Sequence, residues 1–276
     1  MHDLPFRAAA WSLAALAILG VMAGCSAPTA EVTGVRLTDI DLQSVTIVFD
    51  LEVNNPNSAP LPLGSLDYEV TSRGNAFFTG ECELEGNLPA RGTKTISLPT
   101  KITYSQLTLA LSNVKLGSIL PYEANIGVSF EAPIVGAIRL PARHKGELPV
   151  PAPPAVKLTG VQWDSLTLDH AGGTFRLRLT NRNEFPMDIE TLGFALTLGK
   201  MEVARSSLAR PLSLDAGAAG ELAIPISFSP KRFGLAALRM LAGDSNYDLA
   251  GDIAVGTRFG PMRIPFAKSG KVRLSK

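Results

Sequence analysis

Alternation of apolar and polar residues runs along most of this chain. Apolar side chains occupy every second position in residues 45–53, and residues 175–179 repeat the pattern with arginines between them. A period of two is typical of a strand with one buried and one solvated face. Further strands of this kind are predicted at 66–70, 96–98 and 122–130. Glycine- and asparagine-containing turns separate them, so the pattern predicts a mainly β protein.

One short α-helix is predicted in each half of the chain. Ser105 is the expected N-cap of the first helix, and Ser229-Pro230 is the expected start of the second. The apolar face of each helix has two interpretations: it fills the core, or it lines a groove for an apolar ligand beneath the helix. The faces comprise Leu107, Leu111 and Val114 in the first helix, and Phe233, Met240 and Leu241 in the second.

The two halves of the chain repeat one another. Residues 51–99 recur as residues 177–225 at a constant spacing of 126, with leucines, asparagines and prolines at matching positions. Residues 37–46 recur as 158–167 at a spacing of 121. The five-residue difference fits a longer hairpin loop at 169–173 in the second copy. Two copies of one module are therefore expected.

A stretch with four prolines separates the copies and is typical of a stiff, polyproline-like connector. Limited proteolysis is expected to cut first between Glu147 and Ala155. The expected organisation is a signal segment at 1–24, a tether at 25–34, a first domain at 35–148, a linker at 149–155 and a second domain at 156–274.

The N-terminal segment has the order of features of a secretory signal. Arg7 precedes an apolar run over 8–23, which is short for a bilayer-spanning helix of about 20 residues. An uncleaved membrane anchor is the alternative. The order Ala23-Gly24-Cys25 resembles a bacterial lipoprotein signal, which implies a lipid on Cys25. By the same resemblance, Ser26 in place of aspartate favours the outer membrane, with the domains at the periplasmic face of the bacterial envelope.

Composition narrows the classes of partner. The formal net charge is +1, so the chain has no basic field that would recruit nucleic acid. Apolar residues make up 46% of the chain and charged residues 18%, which suits a folded core. Cys25 and Cys82 are the two cysteines, and a lipid on Cys25 leaves Cys82 without a disulfide partner. We expect Cys82 to lie buried on a strand.

Residue types that carry catalysis are sparse. His144 and His170 have no second histidine or cysteine at the spacing of a metal site. The sequence has neither a nucleophile elbow nor a dinucleotide-binding glycine turn. The three glutamates of 81–85 are expected on a solvated strand edge. We therefore expect no enzyme, no metal and no cofactor.

An asparagine-rich turn follows the strand at 45–53. Asn55-Pro56-Asn57 combines a proline that stops the hydrogen-bonding ladder with side chains that bond to nearby backbone. This predicts a rigid, self-bonded turn, and a ligand or partner contact is the alternative. The second copy keeps Asn181 and Asn183 and loses the proline.

At this turn and in the strand after it, Leu66 to Val70, the chain resembles the type 2 late embryogenesis abundant family, also called the water stress and hypersensitive response domain. The resemblance implies two tandem immunoglobulin/fibronectin III-like β-sandwich domains, each with one short α-helix. It also implies protection during drying and other stress, without catalysis.

The sequence thus favours a non-enzymatic, membrane-anchored lipoprotein with a protective role under water stress. The alternative is a carrier of lipid or another apolar ligand, or a scaffold, in the cell envelope. The expected partner is the membrane, through the lipid on Cys25, and nucleic acid is not expected. An apolar ligand or an envelope protein stays open as a further partner.

Overall fold

The structure is a computed structural model, and it describes residues 26–112, 114–132, 136–233, 241 and 245–275. Strands dominate these residues. Those of the first domain are β1 (Thr29–Thr38), β2 (Ser44–Asn55), β3 (Leu61–Ser72), β4 (Asn75–Glu83), β5 (Asn87–Leu88), β6 (Gly92–Thr103), β7 (Ile119–Ala132) and β8 (Gly136–Pro149). Those of the second are β9 (Ala155–Leu166), β10 (Ala171–Thr180), β11 (Met187–Leu198), β12 (Met201–Leu214), β13 (Ala219–Phe228), β14 (Ser245–Gly256), β15 (Met262–Val272) and β16 (Leu274–Ser275).

Each domain consists of two antiparallel sheets. In the first domain the strand orders are β1-β2-β6 and β4-β3-β7-β8, with β5 added to β3. The second domain repeats them as β13-β10-β9 and β12-β11-β14-β15. It adds β16, which pairs in parallel with β9. The prediction of a mainly β chain with two tandem domains is confirmed.

The core of each domain lies between its sheets. The alternating apolar residues of β2 point inward and are buried, as the period of two predicts, and Val48 on the opposite face is half-buried. Phe49 of β2 meets Tyr122 of β7 edge-on, with ring centroids 6.3 Å apart. In the second domain Phe175 of β10 and Phe194 of β11 make an inter-sheet contact at 5.1 Å. Burial of one such side chain contributes about 1.5–3 kcal/mol.

The first domain contains helix α1, Tyr104–Ala110, between β6 and β7. Its N-cap is Thr103 and not the predicted Ser105. The Thr103 hydroxyl accepts from the Gln106 amide, and the Gln106 side chain accepts from the Thr103 amide, which forms a reciprocal capping box. In the second domain the described residues contain a 3-10 turn, Pro230–Phe233, at the predicted helix start. Residues 234–240 and 242–244 lie outside the described residues. In the part of the chain that the structure describes, no helix is both long and apolar enough to cross a bilayer.

The first strand begins earlier than predicted. The segment 25–34 was expected to be a tether, but β1 starts at Thr29 and pairs with the end of β2 at Asn54. Ala30 and Val32 turn inward and are half-buried against the core. These apolar contacts and the ladder extend the domain into the expected tether.

The connector between the domains is buried. Val150 and Ala152 are 0% and 3% exposed. The amide of Gly117 donates to the Val150 carbonyl at 2.6 Å, and the Val150 amide donates to Ser118 at 3.0 Å. The connector is thus packed between the domains, whereas the sequence predicted a stiff, polyproline-like connector that a protease would cut first. We therefore expect a protease to reach the peptide bonds at Val150 and Ala152 only when the domains separate.

Cys82 is exposed, so its predicted burial is wrong. It lies on β4, which forms the outer edge of its sheet. Strand alternation assigned Cys82 to the inward face, but near Cys82 this edge strand is not covered by the facing sheet. Its neighbours Glu81 and Glu83 are also exposed.

Candidate functional site

The two asparagine turns occupy equivalent places in the domains. We call the end at which the chain enters a domain its proximal end, and the opposite end its distal end. At the proximal end of the first domain, β2 finishes at Asn55, which pairs with the first residue of β6, Gly92. The turn of the second domain follows β10, whose last residue, Thr180, pairs with the first residue of β13.

The first asparagine of each turn organises the loop around it. Asn55 is fully buried, and its Nδ2 donates to the carbonyls of Ala59 at 2.8 Å and Pro89 at 3.1 Å. Its Oδ1 accepts from the Asn57 amide at 3.0 Å. Pro56, at the apex, is exposed and has no amide to satisfy. Asn55 therefore replaces the hydrogen bonds that the ladder loses at the end of β2.

Asn181 repeats this arrangement in the second domain. Its Nδ2 donates to the carbonyls of Phe185 at 2.8 Å, Leu214 at 3.2 Å and Asp215 at 3.0 Å. Its Oδ1 accepts from the Asn183 amide at 2.9 Å. The second turn thus keeps the hydrogen bonds of the first without its central proline, and it adds a third carbonyl acceptor for the asparagine Nδ2.

The second asparagine of each turn holds the segment that leads into its own domain. Asn57 Nδ2 donates to the carbonyl of Ser26 at 3.0 Å, three residues before β1. Asn183 makes two hydrogen bonds to Ala152, three residues before β9. The Ala152 amide donates to Asn183 Oδ1 at 2.8 Å, and Asn183 Nδ2 donates to the Ala152 carbonyl at 3.1 Å. We call each of these interactions a chain clamp. The sequence predicted the asparagine turns but not the hydrogen-bond partners Ser26 and Ala152. The available signal was the constant spacing of 126 between the asparagines of the two copies, which indicates an equivalent role in each domain.

The proximal end of the second domain packs against the distal end of the first. The Glu184 amide donates to the Gly117 carbonyl at 2.7 Å, and a Glu184 carboxylate oxygen accepts from the Ile119 amide at 3.2 Å. Gly117 has φ of 92°, and a Cβ there would lie 2.2 Å from the Arg182 carbonyl oxygen. A glycine is thus required both by the backbone conformation and by the close approach of the second domain.

A second contact between the domains comes from the turn between β14 and β15. Arg258 pairs with Glu147 of β8 at 2.6 Å, and its guanidinium lies 4.6 Å from the ring centre of Phe259. A Cβ on Gly260 would lie 3.3 Å from the Cδ1 atom of Ile40. Two separate turns of the second domain therefore contact the first.

A cleft of about 560 Å³ lies between β1, β8 and this turn. Val32 and Val35 line one side, and Tyr122 and His144 line the other. Burial lowers the pKa of His144, which also contacts Phe49 and Tyr122. Burial raises the pKa of Tyr122 to about 12. The neutral forms of both groups are favoured here.

The predicted groove residues fall into different surroundings. Leu107 and Leu241 are fully buried, Leu111 is 7% exposed, and the carbonyl of Leu241 accepts from the Trp163 indole at 3.0 Å. Val114 is half-buried, and Phe233 is 38% exposed. Leu111 and Val114 border a cleft of about 420 Å³. Arg73, Lys115 and Glu184 also line this cleft. Met240 lies outside the described residues.

The predicted lipidation site, Cys25, also lies outside the described residues, which begin at Ser26. Among the described residues, histidine, cysteine and acidic side chains do not gather in a group of three or more that could hold a metal ion.

Comparison with known proteins gives consistent matches to one family. The family model described as "Late embryogenesis abundant protein" matches residues 50–146 and again 176–270, which together exceed half of the chain. Lea14-A of Gossypium hirsutum is 27% identical over 134 residues, 49% of this chain and 89% of that protein. A desiccation protectant Lea14 homologue of Glycine max is 27% identical over 45% of this chain and 82% of its own length.

The solution structure of AT1g01470 from Arabidopsis thaliana aligns with a TM-score of 0.38 and 24% identity, over 55% of this chain and 93% of that one. Each plant relative thus corresponds in length to about half of the chain. Both halves match the family model, and each contains the asparagine turn on a two-sheet fold. The chain therefore belongs to the type 2 late embryogenesis abundant family and carries its domain twice.

Proposed function

We propose that this protein is a non-enzymatic, lipid-anchored module that protects a bacterial cell envelope during water stress. The observation that carries the proposal is the family model, which matches both domains. The names of the plant relatives link single domains of this kind to desiccation. The lipid on Cys25 and the outer-membrane location rest on the resemblance of Ala23-Gly24-Cys25 to a lipoprotein signal.

The structure is compatible with a passive role. Packing of the connector and the two turn contacts hold the domains together at one junction. A tandem module of this kind places folded surface beside the membrane without a change of shape. This suits a protein that must persist while water is withdrawn.

The direct test is survival of a deletion strain after drying, with the gene supplied again in variant forms. We expect deletion to lower survival and the parent chain to restore it. Cys25→Ala is expected to fail, because it gives a soluble periplasmic protein or an unprocessed precursor in place of the lipidated form. Cys82→Ala is the matched control, since it removes the other, exposed cysteine. Equal survival of the deletion and parent strains across drying and osmotic shock would contradict the protective role.

The alternative role as a carrier of an apolar ligand keeps one supporting observation, the cleft beside Leu111 and Val114. The charged groups at its rim suit an amphiphile more than a plain acyl chain. Mass spectrometry of material extracted from the purified protein tests this role. A stoichiometric lipid that is lost on Val114→Asp, with the fold intact by circular dichroism, would establish the carrier. Domains that purify without such a molecule would leave protection as the function.

A further inference from the structure

The chain clamp of the first domain lies directly beside the predicted lipid attachment site. Asn57 holds the carbonyl of Ser26, and Ser26 is bonded covalently to Cys25. Consecutive Cα atoms are only about 3.8 Å apart. The tether expected at 25–34, in which the eight residues after Cys25 would span about 28 Å when extended, is therefore reduced to a single peptide unit.

We infer that the proximal end of the first domain rests on the bilayer surface and that the clamp between Asn57 and Ser26 holds it there. The inference rests on the proposed lipid at Cys25. The partner is the headgroup region of the membrane, because a diacylglyceryl group on Cys25 must enter the bilayer beside the turn.

The surface chemistry of the turn itself agrees with such a partner. Residues 54–65 contain no charged side chain, and Pro56, Ser58 and Ala59 of this segment are exposed. The exposed Glu85 and Arg91 lie on the adjoining loop, where the Arg91 amide donates to the Asn57 carbonyl at 2.8 Å. Approach of an uncharged turn to the headgroups avoids the large cost of desolvating an ion. The equivalent turn of the second domain carries Arg182 and Glu184 at the positions of Pro56 and Ser58.

The second domain supplies an independent precedent within the molecule. Its clamp holds Ala152, and its proximal end packs on the first domain, the body that precedes it in the chain. The proximal end is therefore the docking end of this module. In the first domain, the body that precedes the module is the membrane.

A definite orientation follows from the inference. A strand of about twelve residues spans about 40 Å, so the distal end of the first domain stands well away from the lipid. The second domain then continues outward from that end through the junction at Gly117 and Glu184.

The test uses the full-length, lipidated protein reconstituted in phosphatidylcholine vesicles. A fluorescent dye is attached to Ser58→Cys in a Cys82→Ser background, and to Asn75→Cys as the matched site at the distal end. We expect a spin label on the lipid headgroups to quench the dye at position 58 and to leave the dye at position 75 unquenched. A flexible Gly-Ser spacer of about twelve residues between Cys25 and Ser26, with a mean reach of about 20 Å, should abolish that quenching.

The spacer lies outside every described contact, so its effect does not depend on unfolding. Asn57→Ala should also reduce quenching at position 58, with the melting temperature recorded as a check on the fold. Equal quenching at positions 58 and 75, or quenching that the spacer leaves unchanged, overturns the inference. Mass spectrometry of the same sample distinguishes failure of this inference from failure of the proposed function. Absence of lipid on Cys25 would overturn the proposed anchoring itself.

Discussion

The two domains carry the same asparagine turn in different surroundings. In the first domain the turn projects outward, with Ala59 exposed, whereas the corresponding Phe185 of the second domain is 1% exposed. Asn181 nevertheless keeps both carbonyl acceptors of Asn55, at the equivalent residues Phe185 and Asp215, and adds a third acceptor. The first asparagine therefore maintains the turn wherever it lies, and the residues between and after the asparagines adapt the turn to its neighbour.

The edge strands differ in a similar way. Val35 and Leu37 of β1 are half-buried, whereas the residues in the same register on β9, Val161 and Trp163, are buried. The pairing thus keeps the spacing of 126 in this strand, in place of the 121 expected from the sequence. The second domain adds β16 beside β9 and buries Leu274. Among the strands of the described residues, β2 alone pairs with β1. Strand β9 of the second domain is thus more completely buried than the edge strand β1 of the first.

The largest expected effect comes from removal of the first asparagine. Asn181→Ala leaves three carbonyls and the Asn183 amide without their partner in a buried place, and we expect a loss of about 3–5 kcal/mol in the free energy of unfolding. Asn55→Ala removes fewer bonds and should cost about 2–3 kcal/mol. Urea denaturation of the mature chain measures both, with the exposed Asn75→Ala as control. Equal losses at Asn55 and Asn181 would show that the extra bonds of the second turn add nothing.

The second prediction concerns the junction. Gly117→Ala and Gly74→Ala place a side chain at similar positive φ, 92° and 82°, but only Gly117 faces the backbone of the other domain. We expect about 1–2 kcal/mol of backbone strain in both variants. Gly117→Ala should in addition separate the domains, because the Arg182 carbonyl cannot move aside alone.

Limited proteolysis of the connector distinguishes these two glycine variants. Cleavage between Glu147 and Ala155 should be fast in Gly117→Ala and slow in both Gly74→Ala and the parent. Fast cleavage in the parent would show that the connector is accessible and that the domains are not docked in solution.

Local patterns predicted the strands and the turn because each depends on neighbours in sequence. The alternation in 45–53 and the Asn55-Pro56-Asn57 turn gave the end of β2 directly, and the repeat gave the domain count. The partner of Asn57 could not be predicted in this way, since Ser26 is 31 residues distant in the chain. It is brought to the turn by the pairing of β1 with β2.

The remaining errors also have a physical cause in long-range packing. Prolines favour an extended connector, but their presence does not determine whether another part of the protein covers it. In this protein both domains cover the connector. Alternation assigned Cys82 to a face of β4, but whether that face is covered depends on the neighbouring sheet. The helix begins after Thr103 and not after the predicted Ser105, because the reciprocal capping box with Gln106 satisfies the backbone amides of both Thr103 and Gln106.

The third prediction uses a titratable difference between the domains. His144 packs on Phe49 and Tyr122, while Lys268 occupies its place in the second domain. Because burial lowers the pKa of His144, the folded state disfavours its protonation. The resulting stability is present above the unfolded-state pKa of about 6.5 and is lost as the pH falls through the lower folded-state pKa.

Urea denaturation at pH 7.5 and at pH 5.5 should therefore show lower stability at the acid value. His144→Gln should reduce this difference, and His170→Gln, in an exposed hairpin loop, serves as the control. NMR titration of the imidazole gives the pKa directly. A His144 pKa at or above that of an unfolded chain would contradict the predicted direction.

The smallest expected effect is that of the ion pair between the domains. Arg258 and Glu147 are 2.6 Å apart, but their side chains are 53% and 51% exposed, so water and salt screen their attraction. A double-mutant cycle on Arg258→Ala and Glu147→Ala should give a coupling of about 0.2–1 kcal/mol that decreases with added salt. The pair Arg205–Glu202, also 2.6 Å apart but within one strand of the second domain, provides the matched cycle. Similar couplings in the two cycles would show that the junction is stabilised by the backbone contacts of Gly117 and the clamp of Asn183. A salt-independent coupling well above 1 kcal/mol at the junction pair would instead make the ion pair a principal contact between the domains.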